Sequence, residues 1–365
     1  MFCARSSPSY ARSFPVANRP ERTHNPEPAD CREELGVLAE ELRQASLQVA
    51  WRQWSTLGAA ADAGRVRRSA AAPTIIDPEA LLLFSLSRLD DERRLPALLS
   101  TWTALNADLL SVQRTNNLLA SYPTPLQQVI EPSLVWFAGI AATEGKDARW
   151  RTLAGITSTS ELQSSDNPAM RAGSDAPRAT PPKVGAVRVP FVAPAALLLR
   201  LRLAFGVGVK ADLLGYLIGH ADQWAPVRAI ADATSYRAAS VRRAIEDLAD
   251  AEFVRTLEGT PSTYSVATRA WEVILSLPPK PPRWVRWHSI FVFVAALVEW
   301  SESAQRFPLG AQAFASKGQL FLERHRAAFL EGDVAEWSAR AGRDGWRAVL
   351  HDAVTGLAER MNELA

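Results

Sequence analysis

Residues 229–266 read AIADATSYRAASVRRAIEDLADAEFVRTLEGTPSTYSV, and this stretch decides the fold. Pro226 to Thr234 reads as a helix of about two turns, and Ser235-Tyr236 as a tight turn after it. Arg237 to Ala251 is a second helix, because Val241, Ala244, Ile245 and Leu248 recur at three- and four-residue spacing. Phe253-Val254-Arg255-Thr256-Leu257 then reads as a strand and Glu258-Gly259-Thr260-Pro261 as a turn. Thr263-Tyr264-Ser265-Val266 is the returning strand. Lys210 to His220, using Leu213, Leu214 and Leu217, supplies a short helix just upstream. The order is three helices followed by a two-stranded β hairpin.

Working outward, both flanks read as helical. Asp30 is a good cap for a helix carrying Leu35, Leu38, Leu42, Ala45 and Val49 on one face. Asp77-Pro78-Glu79 opens another, with Asp77 as cap and Pro78 at the first helical position. Helices over 80–89, 96–110, 111–119 and 126–142 follow, and nothing alternates with period two. Residues 30–155 therefore read as a helical N-terminal domain. Residues 1–29 and 156–186 are rich in Pro and Ser and poor in large apolar residues, so they read as a disordered tail and a flexible linker. The domain holding the quoted stretch is placed at 187–276. After the Pro-rich break at 277–282 comes a C-terminal helical bundle over 284–365, with Trp346, Val349, Leu350, Ala353, Val354, Leu357 and Met361 as its clearest stripe. The fold class expected is mainly α with a two-stranded β hairpin at the centre.

The quoted stretch resembles the winged helix-turn-helix transcriptional regulators of the MarR and ArsR type. The resemblance covers about a fifth of the 365 residues and leaves the helical flanks unassigned. It departs from the family at three positions. Ser235 and Glu252 stand where the family usually has Gly, and Arg237 stands where it usually has a Ser or Thr cap. The resemblance implies a regulator of bacterial type that binds double-stranded DNA, acts as a homodimer, and responds to a small-molecule effector or a protein partner. It also implies that the third helix is the reading element. With Val241 buried, a 100° step per residue turns Ala239, Arg243 and Glu246 outward and leaves Arg242 on the flank. The expected DNA contacts are Arg237, Ala239, Ser240, Arg242 and Arg243 in the groove. Arg255, Thr260, Ser262 and Thr263 are expected on the neighbouring backbone. A competing reading treats the same unit as a protein-interaction module, such as the neutralising partner of a two-gene system.

Charge narrows the choice. The chain has 41 Lys plus Arg against 39 Asp plus Glu, which excludes an indiscriminate basic binder. Only Lys146, Lys183, Lys210, Lys280 and Lys317 are lysines, a skew towards Arg that reads as codon bias in a GC-rich genome, with phosphate recognition as its alternative. From Phe205 to Leu275 there are seven basic and nine acidic residues, a net of −2. A DNA-reading domain with that balance must gather its positive charge on one face, and the first half of the third helix does so. Its second half is acidic. Binding of this kind is weak and salt-sensitive per subunit, and pairing two subunits compensates.

Other chemistry finds no sequence support. Cys3 and Cys31 make neither a disulfide framework nor a zinc site, which suggests an intracellular, cytoplasmic chain. His24, His220, His288, His325 and His351 lie in no HExxH pattern, and no GxSxG or Walker A sequence occurs. No enzyme, metal or cofactor is expected, and no apolar run is long enough to cross a bilayer. Glu40-Glu41 and Asp90-Asp91-Glu92 read as solvated helix faces, His220 as a helix C-terminal residue and His351 as a surface residue. Gln113-Arg114-Thr115-Asn116-Asn117 reads as an exposed helical face, with a small-molecule pocket as its alternative. Trp284 and Trp287, interleaved with Arg283 and Arg286, read as the start of an amphipathic helix packing its indoles inward rather than stacking on bases.

Overall fold

The computed structural model describes residues 28–59, 74–144, 148–155, 188–307, 309–331 and 345–364. The tail and linker readings thus fall on residues that lie, apart from Pro28 and Ala29, outside the described ones. The first helix, α1, spans Pro28–Thr56, so it begins before the Asp30 cap that the sequence predicts. Proline at a helix start loses no hydrogen bond, because the first amides have no intrahelical partner.

The N-terminal flank continues through α2 (Pro78–Leu86), α3 (Leu95–Asn106), α4 (Val112–Leu119), α5 (Thr124–Glu144) and α6 (Ala148–Leu153). Asp77 caps α2 as expected, accepting a hydrogen bond from the Ala80 amide at 3.1 Å. Then come α7 (Leu197–Phe205), α8 (Val209–Gly219), β1 (Ala225–Pro226), α9 (Val227–Thr234) and α10 (Ala238–Asp250). The strands β2 (Arg255–Leu257) and β3 (Thr263–Ser265) and the helix α11 (Thr268–Ile274) complete the central unit. The C-terminal flank holds α12 (Trp287–Arg306), α13 (Ala311–Arg324), α14 (Arg326–Glu331) and α15 (Gly345–Leu364).

The sheet has three strands, in the order β1-β3-β2, not two. Ala225 lies opposite Tyr264 and Pro226 opposite Thr263. The added strand is only two residues long and carries no alternating pattern, so nothing in the local sequence marks it. The Pro226 nitrogen cannot donate to a ladder, which fits an edge position.

Two hydrophobic cores organise the chain. The first joins both flanks: Leu42, Trp54 and Phe84 share it with Phe291, Leu357 and Met361. Phe84 stacks on Phe291 with ring centroids 4.5 Å apart, and the Thr74 hydroxyl donates to the Leu364 carbonyl at 2.7 Å. Residues near the two ends of the chain are thus partners in one body. Trp284 and Trp287 are buried, as the amphipathic reading expects, and the Trp287 indole donates to the Ile75 carbonyl at 3.2 Å. The second core lies inside the central unit, where Val241, Ala244, Ile245 and Leu248 of α10 meet Leu213, Leu214, Leu217 and Ile230. The helix α7 belongs to both cores, with Leu199 in the first and Leu198 and Leu201 in the second. Gly219 marks a close approach behind α8: a Cβ there would lie 2.6 Å from the Trp284 backbone nitrogen.

Candidate nucleic-acid interface

The packing of α10 fixes what it can present. Its four buried apolar residues turn Ala239, Arg242, Arg243 and Glu246 to solvent, and Arg237 is exposed at the cap position. Ser240 is half-buried. Arg237 offers the helix no side-chain cap, so the amino end of α10 keeps amides free for an anion. None of the ion pairs among the described residues involves Arg237, Arg242 or Arg243. The acidic half of the helix is partly offset, because Asp247 pairs with Lys210 at 2.7 Å.

The hairpin is arranged differently. Arg255 is exposed but engaged: it pairs with Asp222 at 2.9 Å, donates to the Ser265 hydroxyl and the Val266 carbonyl, and lies over the Trp224 ring. Thr260 stands at the exposed tip, while Ser262 and Thr263 are half-buried. The structure therefore gathers Arg237, Ala239, Ser240, Arg242 and Arg243 on one end of one helix. It leaves Arg255 bound to its own sheet.

The turn before α10 keeps its geometry without glycine. Ser235 has φ 61° and Glu252 has φ 62°, both in the left-handed region. These are the two positions where the resemblance leads one to expect Gly. A side chain there costs about 1–2 kcal/mol, which contacts elsewhere must offset. At Ser235 the contacts come from the N-terminal flank. Arg114 Nε donates to the Thr234 carbonyl at 3.0 Å, and Asn117 Nδ2 donates to the Ser235 carbonyl at 2.8 Å. Both residues belong to α4.

Arg114 is also part of a fully buried charge cluster that ties the central unit to the flank. Its guanidinium forks onto Asp77 at 2.5 and 2.6 Å and reaches Glu79 at 2.8 Å. Arg202 forks onto Glu79 at 2.6 and 2.9 Å and onto Asp212 at 2.8 and 2.9 Å. Tyr236, at the turn itself, donates to Asp212 at 3.0 Å, and the Ser111 amide donates to Glu79 at 2.8 Å. Two guanidinium groups face three carboxylates, and the amide and phenol donors take up remaining lone pairs. Burial alone lifts the Asp77 carboxyl, but the Arg114 charge and hydrogen bonds beside it prevail and hold it below the usual aspartate value. Burial opposes the charge on Arg114 and Arg202, yet the carboxylates around each push its pKa up. Burial likewise raises the Tyr236 hydroxyl, which keeps its proton and donates.

These residues correct part of the sequence reading. Within the polar run 113–117, Gln113 and Asn116 are exposed, but Arg114 and Thr115 are fully buried and Asn117 is half-buried. Arg202 looks in sequence like an interruption of an apolar run. The one local hint was its place in that run, since a charge flanked by Leu199, Leu201 and Leu203 needs a partner. His220 sits at the C-cap of α8, and His351, Glu40 and Glu41 are exposed on helices, as read; Asp90 and Asp91 are exposed but lie, with the half-buried Glu92, in the turn between α2 and α3 rather than on a helix face. Among the described residues no group of His, Cys, Asp and Glu could hold a metal ion, and no helix is long and apolar enough to cross a membrane. Compared with protein-family models, with curated proteins and with solved structures, the chain matches none.

Proposed function

We propose that the chain is a DNA-binding transcriptional regulator. In this reading residues 187–276 form a winged helix-turn-helix, α10 enters the major groove, and the β2–β3 hairpin is the wing. One observation carries it: Arg237, Arg242 and Arg243 stand exposed and free of ion pairs at the uncapped amino end of a single helix. Arginine forks pair with the guanine edge or with phosphate, and the free amides of the helix start suit the phosphate backbone. The rest of the central unit is acidic on balance, so affinity rests on a few contacts, and a homodimer would double them. The mechanism is reversible occupancy of an operator.

Crosslinking the tagged protein to DNA across the genome supplies the sites, which are then used in mobility-shift titrations. Replacing both Arg242 and Arg243 with Ala should weaken binding about tenfold or more and lower the salt slope by roughly two. Unchanged affinity and slope would overturn the contact assignment.

A second reading, a protein-docking module, is favoured by a different observation. Leu257 on the hairpin is 53% exposed, and Val273 and Ile274 on α11 are 70% and 63% exposed. A stoichiometric protein complex that survives purification, with no retention on DNA at low salt, would favour this reading over the first.

A further inference from the structure

Away from α10, a cleft of about 620 Å³ opens where the α4–α5 connection, the start of α12 and the α13–α14 junction meet. Among the described residues its walls come from the two flanks, and none comes from the central unit. Among the described residues no carboxylate lines it. Arg324 enters it as a fixed cation and forms no ion pair with any described residue. Thr124 and Pro125 bring the amino end of the 21-residue α5 to the same wall. That end carries partial positive charge.

Two buried polar atoms are left without partners. Tyr122 is 2% exposed, lines the cleft, and its hydroxyl bonds to nothing. Burial raises its pKa, so it keeps a proton to donate. His288 meets the Ser121 hydroxyl through Nε2, while its Nδ1 has no partner. Burial holds this imidazole neutral, with a pKa lowered to about 4. Both atoms have almost no accessible surface, so they lie behind the cleft wall rather than on it. Beside these groups, Pro125, Val292 and Ala328 offer apolar wall. The volume falls within the range of small-molecule sites and exceeds what a single inorganic anion fills.

We propose that this cleft binds a small organic acid, with its carboxylate paired to Arg324 beside the amino end of α5 and its body against Pro125, Val292 and Ala328. The site stands whether or not α10 reads DNA.

The test is isothermal titration of the full-length protein with phenylacetate and hexanoate, beside their primary amides and inorganic phosphate. At least one acid should bind at a single saturable site, with its amide at least tenfold weaker. Arg324→Ala should weaken that acid tenfold or more without moving the melting temperature, because the side chain is exposed and unpaired. Absence of acid binding in the millimolar range, equal binding of acid and amide, or unchanged affinity in Arg324→Ala would each overturn the proposal. Phosphate binding as tight as that of either acid would overturn its organic part.

Discussion

Arg242 and Arg243 on α10 and Arg114 and Arg202 in the buried cluster are chemically the same residue in opposite circumstances. The first two are exposed and unpaired; the other two are at most 1% exposed and each is shared between carboxylates. An exposed guanidinium loses little by waiting for a partner, because water solvates it. A buried one must be paired within the fold, because its desolvation is not repaid otherwise. The difference separates these four arginines into two that are free to serve recognition and two that hold the molecule in one arrangement. In the second group Arg114 does both jobs at one remove, since it also holds the turn that precedes α10.

The largest expected effect breaks the buried side of that contrast. Arg202→Ala removes the guanidinium that Glu79 and Asp212 share and leaves Arg114 as the one cation among three buried carboxylates, and such a loss typically costs about 3–5 kcal/mol. Urea unfolding should show it as a lower midpoint, and an unchanged midpoint would mean that water reaches the cluster.

Acid titration sharpens the same contrast. The folded pKa of Asp77 lies below its ordinary 3.8, so its contribution is complete above that value and is lost as pH falls through the folded one. His288 and His325 are lowered by burial to about 4 from 6.5. The unfolded chain therefore takes up protons first, and stability should fall as pH drops from about 6.5 towards about 4. His288→Gln together with His325→Gln should flatten the urea midpoint over that window. If the slope is the same in the double variant, other groups carry it.

On the exposed side, the Arg242→Ala and Arg243→Ala changes should leave stability within about 0.5 kcal/mol while weakening DNA binding. A large loss of stability there would show that these arginines belong with the buried pair. The smallest effect is at the turn. Ser235→Gly should raise stability by up to about 1 kcal/mol, read as a higher melting temperature, because it relieves the left-handed conformation. A drop instead would mean that the added chain entropy outweighs the relief.

The elements of the central unit were legible because their signals are local. Apolar spacing marks α10, Gly259 and Pro261 mark the hairpin turn, and Asp77-Pro78 marks the start of α2. The third strand was not legible, because two residues without alternation carry no pattern. Nor was the union of both flanks in one core, since periodicity tells which face of a helix is apolar and not what covers it. The exposure of Arg243 followed from Val241 and the helical period, which left Arg242 on the flank, whereas the engagement of Arg255 depends on Asp222 and Trp224 arriving from another loop.

By itself the sequence determined a mainly helical chain, a three-helix-and-hairpin order at its centre, and the outward direction of Arg243 on α10. Only the tertiary structure decided which arginines are buried, what clamps the Ser235 turn, and where the cleft around Tyr122 and His288 opens. The physical reason is the range of the forces. Helix and turn preferences act within a few residues, but the partner that makes a buried charge tolerable can lie 123 positions away, as Glu79 does from Arg202.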